Sequence, residues 1–354
     1  MENQSHRCPK EFAQVTEFLG RKLDGFSERD LFIMQFVPKA WGQDIAALSN
    51  MAEAIVTIFR CGGLNQTDGV VYITSVVERA LHKSVRPYRR ELEEQRDLGR
   101  YGYYLEHLNI ILGCYQTIAG DRYRELNQRI TEHLLALSLN EQNLHAPLLP
   151  NVRMRWSADQ AAIIYSIWLY DQNNGTQLAA KLIIPWLNYM HAYRTEASTG
   201  LFQTEVLGVK TYSDQPRGCS LAYMIYYLSH FAPREAEAQW RKFKEHMFQR
   251  RAGIWGFREY LPGNTNKWTP DSGPILLGTG VAASGLALRT AAAMRDSETF
   301  TRLYRPATAV IKLMRSMSRI PLLNRLARLG TDVLATSIKL SADALHIKNT
   351  GESL

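Results

Sequence analysis

Apolar residues recur at helical spacing along almost the whole chain. Phe26 to Phe36, Gln43 to Phe59 and Gly69 to Leu81 read as helices, followed by a charged, exposed stretch from Arg86 to Arg100. Tyr103 to Ile118 is an apolar helix stopped at Gly120-Asp121, and Arg122 to Leu137 is its amphipathic partner. A proline-containing connection, Asn140 to Arg155, leads to a helix over Gln160 to Tyr170. That helix is opened by Ser157-Ala-Asp159 and stopped at Asn173-Asn-Gly175. Three more helices follow, over Thr176 to Tyr193, from Pro216-Arg-Gly-Cys219 to Phe231, and over Pro233 to Gln249. Between them, β-branched residues with Gly200 and Gly208 predict a small hairpin over Glu196 to Tyr212, and Gly253 to Tyr260 reads as extended.

The stretch from Trp268 to Leu288 carries the most information. Asp271-Ser272-Gly273-Pro274 has the residues of a helix N-terminus, and the helix it opens has no polar face, which predicts burial all round. Ser297 to Tyr304 begins an outer helix. Between Tyr103 and Tyr304 an apolar helix opening at a polar turn is thus followed four times by a more charged one. The region before Tyr103 can supply one or two further pairs. This alternation predicts an all-α toroid of paired helices with a small β-hairpin insertion, rather than a generic bundle or solenoid. The inner helices all start at loops carrying Asp, Arg, Trp and Tyr, which a solenoid has no reason to gather at one end.

The barrel is assigned to residues 1–304 and a basic amphipathic helical extension to 305–354. In the extension Val310, Ile311, Met314, Met317, Leu322, Leu323, Leu326, Leu329, Val333 and Leu334 recur at helical spacing. Six cations and no acid lie between Arg305 and Arg328. The expectation is peripheral contact with an anionic membrane through 305–345, or a partner groove, against an ordinary helix packed on the barrel. Pro306 and Pro321 are expected to break it.

With 354 residues, 45% hydrophobic and 21% charged, the chain can bury a large core. The formal net charge of +8 has that local patch as its visible source, and no nucleic-acid partner is expected. Cys8, Cys61, Cys114 and Cys219 form no CxxC pair and match no zinc spacing, so neither a metal nor another cofactor is expected. A polar start from Met1 to Lys10 and no convincing membrane span predict a cytoplasmic protein with reduced thiols.

In such a toroid the inner-helix N-termini converge on one rim, where they favour anions and orient polar groups. Candidate catalytic residues are Tyr103 and His107 on the first clear inner helix, Asp159 on the second, Cys219 at the start of the third, and Asp271 at the cap of the fourth. Candidate substrate-binding residues are Trp156, Glu196, Arg217, Tyr223, Arg258, Glu259 and Trp268. Each has a structural alternative. Asp159 and Asp271 can be simple N-caps, His107 a hydrogen-bonded core histidine and Arg217 half of a rim ion pair. Cys219 can be inert packing and Tyr223 part of an aromatic core. Carboxyls converging in one pocket can be tuned apart for acid and base roles.

Several short motifs in order add a resemblance. Tyr103-Tyr-Leu-Glu-His-Leu-Asn-Ile-Ile-Leu-Gly-Cys-Tyr115, Gly120-Asp121, Trp156-Ser-Ala-Asp159, Pro216-Arg-Gly-Cys-Ser-Leu-Ala-Tyr223, Gly256-Phe-Arg-Glu-Tyr260 and Asp271-Ser-Gly-Pro274 together resemble the linalool dehydratase/isomerase-like class, over about residues 100–304. The resemblance implies an (α/α)6 barrel with a hydrophobic pocket for an isoprenoid alcohol. It also implies cofactor-free acid/base removal and addition of water, and homo-oligomers with pockets near subunit contacts. His107 would match the class's pocket histidine. The two cysteines that the class carries around the start of the next inner helix are missing, since Asn151 to Gln160 holds none, and Asp159 stands there instead.

Three functions follow as expectations. The first is a lyase or isomerase on an apolar, isoprenoid-like alcohol or alkene, favoured by an aliphatic and aromatic pocket. The second is a carbohydrate-active hydrolase or lyase using paired carboxylates, favoured by an open cleft with exposed tryptophans. The third is a non-catalytic binding module at a membrane surface, favoured by rim carboxylates all paired to arginine.

Overall fold

Helices with little polar surface cannot face water on any side, and here they close into a ring. The computed structural model describes residues 10–25, 43–206, 215–264, 269, 272–318 and 331–351. Among these the helices are α1 Ala13–Gly25, α2 Gln43–Arg60, α3 Gln66–Leu81, α4 Gly102–Ala119, α5 Arg124–Leu139 and α6 Ser157–Asn174. They continue with α7 Ala180–Tyr193, α8 Gly218–Phe231, α9 Pro233–Met247, α10 Val281–Ala293, α11 Ser297–Ser318 and α12 Thr331–Thr350. Helices α2, α4, α6, α8, α10 and α12 each pack on the next, and α12 packs back on α2. The remaining helices lie outside this ring. In α9, for example, Ala236, Gln239, Trp240, Phe243 and Met247 form one buried stripe, and the rest of the helix is charged. The molecule is an (α/α)6 barrel.

The expected division at residue 304 cuts this barrel. Helix α12 is the sixth inner helix, and its Leu340, Ala342, Ala344, Leu345 and Ile347 are buried. Its apolar face is therefore used inside the ring and is not left for a membrane. Helix α11 runs on through Pro306, whose place in an outer helix costs one backbone hydrogen bond without ending the helix. Pro321 and the expected helix Phe26 to Phe36 lie outside the described residues.

Three two-stranded antiparallel ladders sit on the loops: β1 Arg155–Trp156 with β2 Glu205–Val206, β3 Phe248–Arg251 with β4 Ile254–Phe257, and β5 Ile275–Leu276 with β6 Thr279–Gly280. Of the hairpin expected over Glu196 to Tyr212, residues 207–212 lie outside the described residues, and what is described is a tight antiparallel bridge of Thr195 with Phe202. The strand at 205–206 pairs with 155–156, just ahead of α6. The helix expected to open at Asp271 starts at Val281, because β5 and β6 occupy the residues between.

The inner-helix starts share one device. The first free N–H of α4, at Gly102, donates to Pro147 O at 3.1 Å, that of α6, at Ser157, to Thr204 O at 3.0 Å, and that of α8, at Gly218, to Glu259 O at 2.9 Å. Each acceptor lies in the connection leading to the next inner helix. Backbone from one pair thus caps the pair before it, and none of these three helices has a side-chain N-cap. The approach is so close at Gly102 and Gly218 that a Cβ would stand 2.3 and 2.0 Å from the capping carbonyl or its neighbour, which only glycine tolerates.

The axis holds a buried ion pair. Arg289 of α10 donates to Glu53 and Asn50 of α2, and its guanidinium lies 3.5 Å over the ring of Tyr226 from α8. The Tyr226 hydroxyl donates to Glu53 at 2.8 Å, and Asn50 donates to Ser337 of α12 at 3.3 Å. Four of the six inner helices meet in this cluster.

Two outcomes test the fold. Arg289→Met leaves Glu53 buried without its cation, and denaturant unfolding should show a loss of about 3–5 kcal/mol, part of which Glu53→Gln restores. His107, His145 and His230 are each pushed by burial from 6.5 down to about 3. The unfolded chain therefore binds protons first as pH falls, so this stability is full above 6.5 and drains away toward 3. The melting temperature should fall across that window. The slope should flatten in His145→Gln, which removes the acceptor of the Trp186 Nε1 hydrogen bond at 3.1 Å.

Candidate active site

Asp159 stands at the start of α6, whose first N–H is bonded by loop backbone. It is the third residue of that helix, behind Trp156 and Ser157, and it is half-buried. On the neighbouring α4, Glu106 sits one turn in and is fully buried. The fold places these two carboxyls together. Burial first, and the adjacent Asp159 carboxyl second, push the Glu106 carboxyl well above the usual range. Tyr223 of α8 acts weakly in the opposite direction. Neither Glu106 oxygen closes a well-formed hydrogen bond, so Asp159 and Tyr223 are loose partners within electrostatic reach. Two carboxyls placed this way disfavour ionising together, and the enclosed Glu106 is the one held toward its protonated form.

Aromatic groups frame the pair. The Tyr223 hydroxyl lies 3.3 Å from His107 Nε2, and His107 Nε2 lies 3.7 Å from Glu106. The Tyr103 ring stands edge-on to His107 with centroids 4.9 Å apart. Since burial holds His107 neutral, it cannot neutralise Glu106 and serves as a hydrogen-bonding group. Tyr103, Asp159 and Tyr223 are half-buried, whereas Glu106 and His107 are enclosed behind them. Below, Tyr227 and then the Arg289–Glu53 cluster fill the axis. The carboxyl pair thus lies over a polar and aromatic stack on the axis.

The other expected residues form a separate clamp on the rim. Arg217 Nη2 lies 3.1 Å from Glu259 and Nη1 3.5 Å from Glu205, and Nη2 donates to Thr269 Oγ1 at 2.7 Å. Glu259 accepts the Cys219 backbone N–H at 3.3 Å and its thiol at 2.9 Å. Here Glu259 is an anion at a helix N-terminus and Cys219 is its donor, so these side chains are engaged in holding the loop to α8. Trp156 is half-buried in β1, opposite Glu205. Arg258 follows β4 and bridges to Thr279, with its guanidinium near Gly278, and burial followed by Arg251 lowers its pKa. Glu196 folds onto its own turn, accepting from Ser198 and Thr199, which lowers its carboxyl to about 2. Trp268 and Asp271 lie outside the described residues. Among the described residues no cluster of His, Cys, Asp and Glu could hold a metal, and no helix is long and apolar enough to cross a membrane.

Sequence reading missed Glu106, Glu53 and Arg289. The signal was present for two of them, since Glu106 is the one acidic residue of α4 and Arg289 the one charged residue of α10. A lone charge in an apolar helix is either paired or functional.

No family model matches the chain, and no curated protein matches it. Among solved structures it is similar to an inactive variant of the α-1,6-mannanase GH76A of Salegentibacter sp. HEL1_6, with two consecutive aspartates changed to alanine, in complex with α-1,6-mannotetrose. The TM-score is 0.52 at 10% identity, over 84% of this chain and 88% of that one. At that identity the likeness speaks for the fold. It nonetheless overturns the linalool dehydratase resemblance, since the barrel found to be similar is a glycoside hydrolase that binds an oligosaccharide. The isoprenoid lyase or isomerase function and its apolar substrate fall together. The physical reason lies on the axis, where Glu53, Asn50, Glu106, His107 and Arg289 stand in place of a hydrophobic pocket. The chain has no two consecutive aspartates anywhere, so its own carboxyl pair is one that folding assembles from Glu106 and Asp159.

Proposed function

We propose that the chain is a carbohydrate-active hydrolase whose reacting carboxyl is Asp159, with Glu106 behind it sharing its proton. The observation that carries this reading is the pair itself, an enclosed carboxyl against a half-buried one on adjacent inner helices at the barrel mouth. The similar barrel supports it by binding a mannotetraose in the same architecture. A pair holding one proton has both functions that hydrolysis needs. Its ionised member takes a proton from water, and its protonated member gives one to the leaving oxygen. Glycoside hydrolysis works with carboxyls ~5 Å or ~6.5–9.5 Å apart, and a sugar ring would enter on the exposed, Asp159 side of the pair. Tyr223 keeps its proton because burial raises its pKa, and it can donate to a sugar hydroxyl or to the carboxylate that forms.

A second reading has one observation behind it. Arg217 holds both Glu205 and Glu259, as a rim built only for binding would.

One experiment separates the two. The wild type, Asp159→Asn and Glu106→Gln are incubated with a panel of neutral oligosaccharides that includes α-1,6-linked mannose, and new reducing ends are measured. Hydrolysis should fall roughly 100- to 10,000-fold in Asp159→Asn, and Glu106→Gln should shift the pH profile as well as the rate. Since a raised carboxyl pKa destabilises the fold as pH climbs above 4.5, Glu106→Gln should be at least as stable as wild type in alkaline buffer. Oligosaccharide binding without cleavage by the wild type would establish the second reading. Undiminished cleavage by both variants would remove the pair from the mechanism.

A further inference from the structure

The β3–β4 and β5–β6 hairpins project beside the rim and touch each other. Gln249 of β3 donates to Thr279 Oγ1 of β6 at 2.8 Å, and Thr279 packs against Gly256 of β4. Their tips are apolar and bare. Leu276 is 64% exposed, Leu277 72% and Ile254 58%. A single exposed leucine would mean little, because much of any protein surface is apolar. The turn geometry makes this case different. Leu277 and Gly278 form a two-residue turn with φ of +52° and +79°, positions at which Asn-Gly is the favoured pair. A leucine there is strained and gains no packing in return. Neither the folding of the hairpin nor the core accounts for it.

The exposed charges of the β3–β4 hairpin have one sign, while the neighbouring Arg302 is paired with Glu298. From Phe248 to Leu261 the charged residues are Arg250, Arg251, Arg258 and Glu259, and Glu259 is enclosed in the clamp with Arg217. Trp255 lies beneath, stacked on Phe248 with centroids 5.0 Å apart and covered by Arg302 at 4.3 Å. Apolar tips ahead of a ring of arginines match the layers of an anionic membrane surface, in which the tips enter the headgroup boundary and the cations meet lipid phosphate. The same charge opposes a second copy of this chain as the occupant, since the net charge of +8 would repel it.

We propose that the two hairpin tips, Ile254 and Leu276-Leu277, dock this barrel on an anionic lipid surface, with Arg250, Arg251 and Arg258 facing the phosphates. None of the residues named belongs to the cationic segment after Arg305. It is also independent of the hydrolase reading, because its readout is binding. The test is sedimentation of the full chain with vesicles of equal parts phosphatidylglycerol and phosphatidylcholine, against pure phosphatidylcholine. Wild type should bind the mixed vesicles, more weakly as salt rises, and should leave the neutral ones. Leu276→Ser with Leu277→Asn should lower the partition coefficient at least tenfold, while the melting temperature holds or rises, because asparagine suits the turn. Ile254→Ser, made separately, should weaken binding, and Arg250→Gln with Arg251→Gln should flatten the salt dependence. The proposal is overturned if wild type ignores anionic vesicles at low salt, if it binds neutral ones equally, or if the leucine variant binds like wild type. Binding of an acidic protein in place of lipid would appear as the first of these outcomes.

Discussion

A ring of six helices encloses an axis, and the buried Arg289–Glu53 pair on it ties four of the six together. The guanidinium reaches from α10 to α2, lies on Tyr226 of α8, and is tied through Asn50 to α12. A charge at that depth is tolerable only if every neighbour supplies a partner, so the cluster specifies which helices stand opposite one another. It also sets the floor of the site. Tyr227 packs on Arg289 and Tyr223 on Tyr227, which carries the aromatic stack up to the Glu106 side of the barrel.

The starts of three inner helices share one capping scheme. At an ordinary helix start the nearest Asp or Ser is drawn into bonding the free N–H groups. In α4, α6 and α8 the connection to the next inner helix does that work with its own carbonyls. Asp159 meets Glu106 across the α4–α6 seam. On α8 the same geometry recruits Glu259, which bonds Cys219 and Arg217 and has become part of the frame. Two acids at comparable rim positions thus have different fates, according to whether an arginine or another carboxyl stands beside them.

The ring was legible in the sequence because its cause is local. Apolar helices alternating with charged ones can bury themselves in few ways, and starts such as Ser157-Ala-Asp159 mark the inner set. The sixth inner helix was not legible. Thr331–Thr350 resembles a surface helix by its lysines and serines, and only closure against α2 and α10 buries it. The start of α10 was displaced because Leu277-Gly278 makes a tight turn out of residues that carry no turn signature. At the site, Tyr103, His107, Asp159 and Tyr223 could be named from their positions on the helices. Glu106 was passed over, since its meaning arises only when α6 brings Asp159 beside it. The isoprenoid reading failed for a related reason, as short motifs around a rim do not report that the axis behind them is polar.

The most direct test of the account is whether a carboxyl group keeps its proton at neutral pH in the folded protein. Infrared spectroscopy resolves the carbonyl stretch of a protonated carboxyl from that of a carboxylate. The account predicts a protonated-carboxyl band that persists through neutral pH in the wild type and disappears in Glu106→Gln, with the fold intact. If wild type shows no such band above the ordinary carboxylate range, or if the band survives in Glu106→Gln, then Glu106 and Asp159 do not share a proton and the site is not the acid pair described.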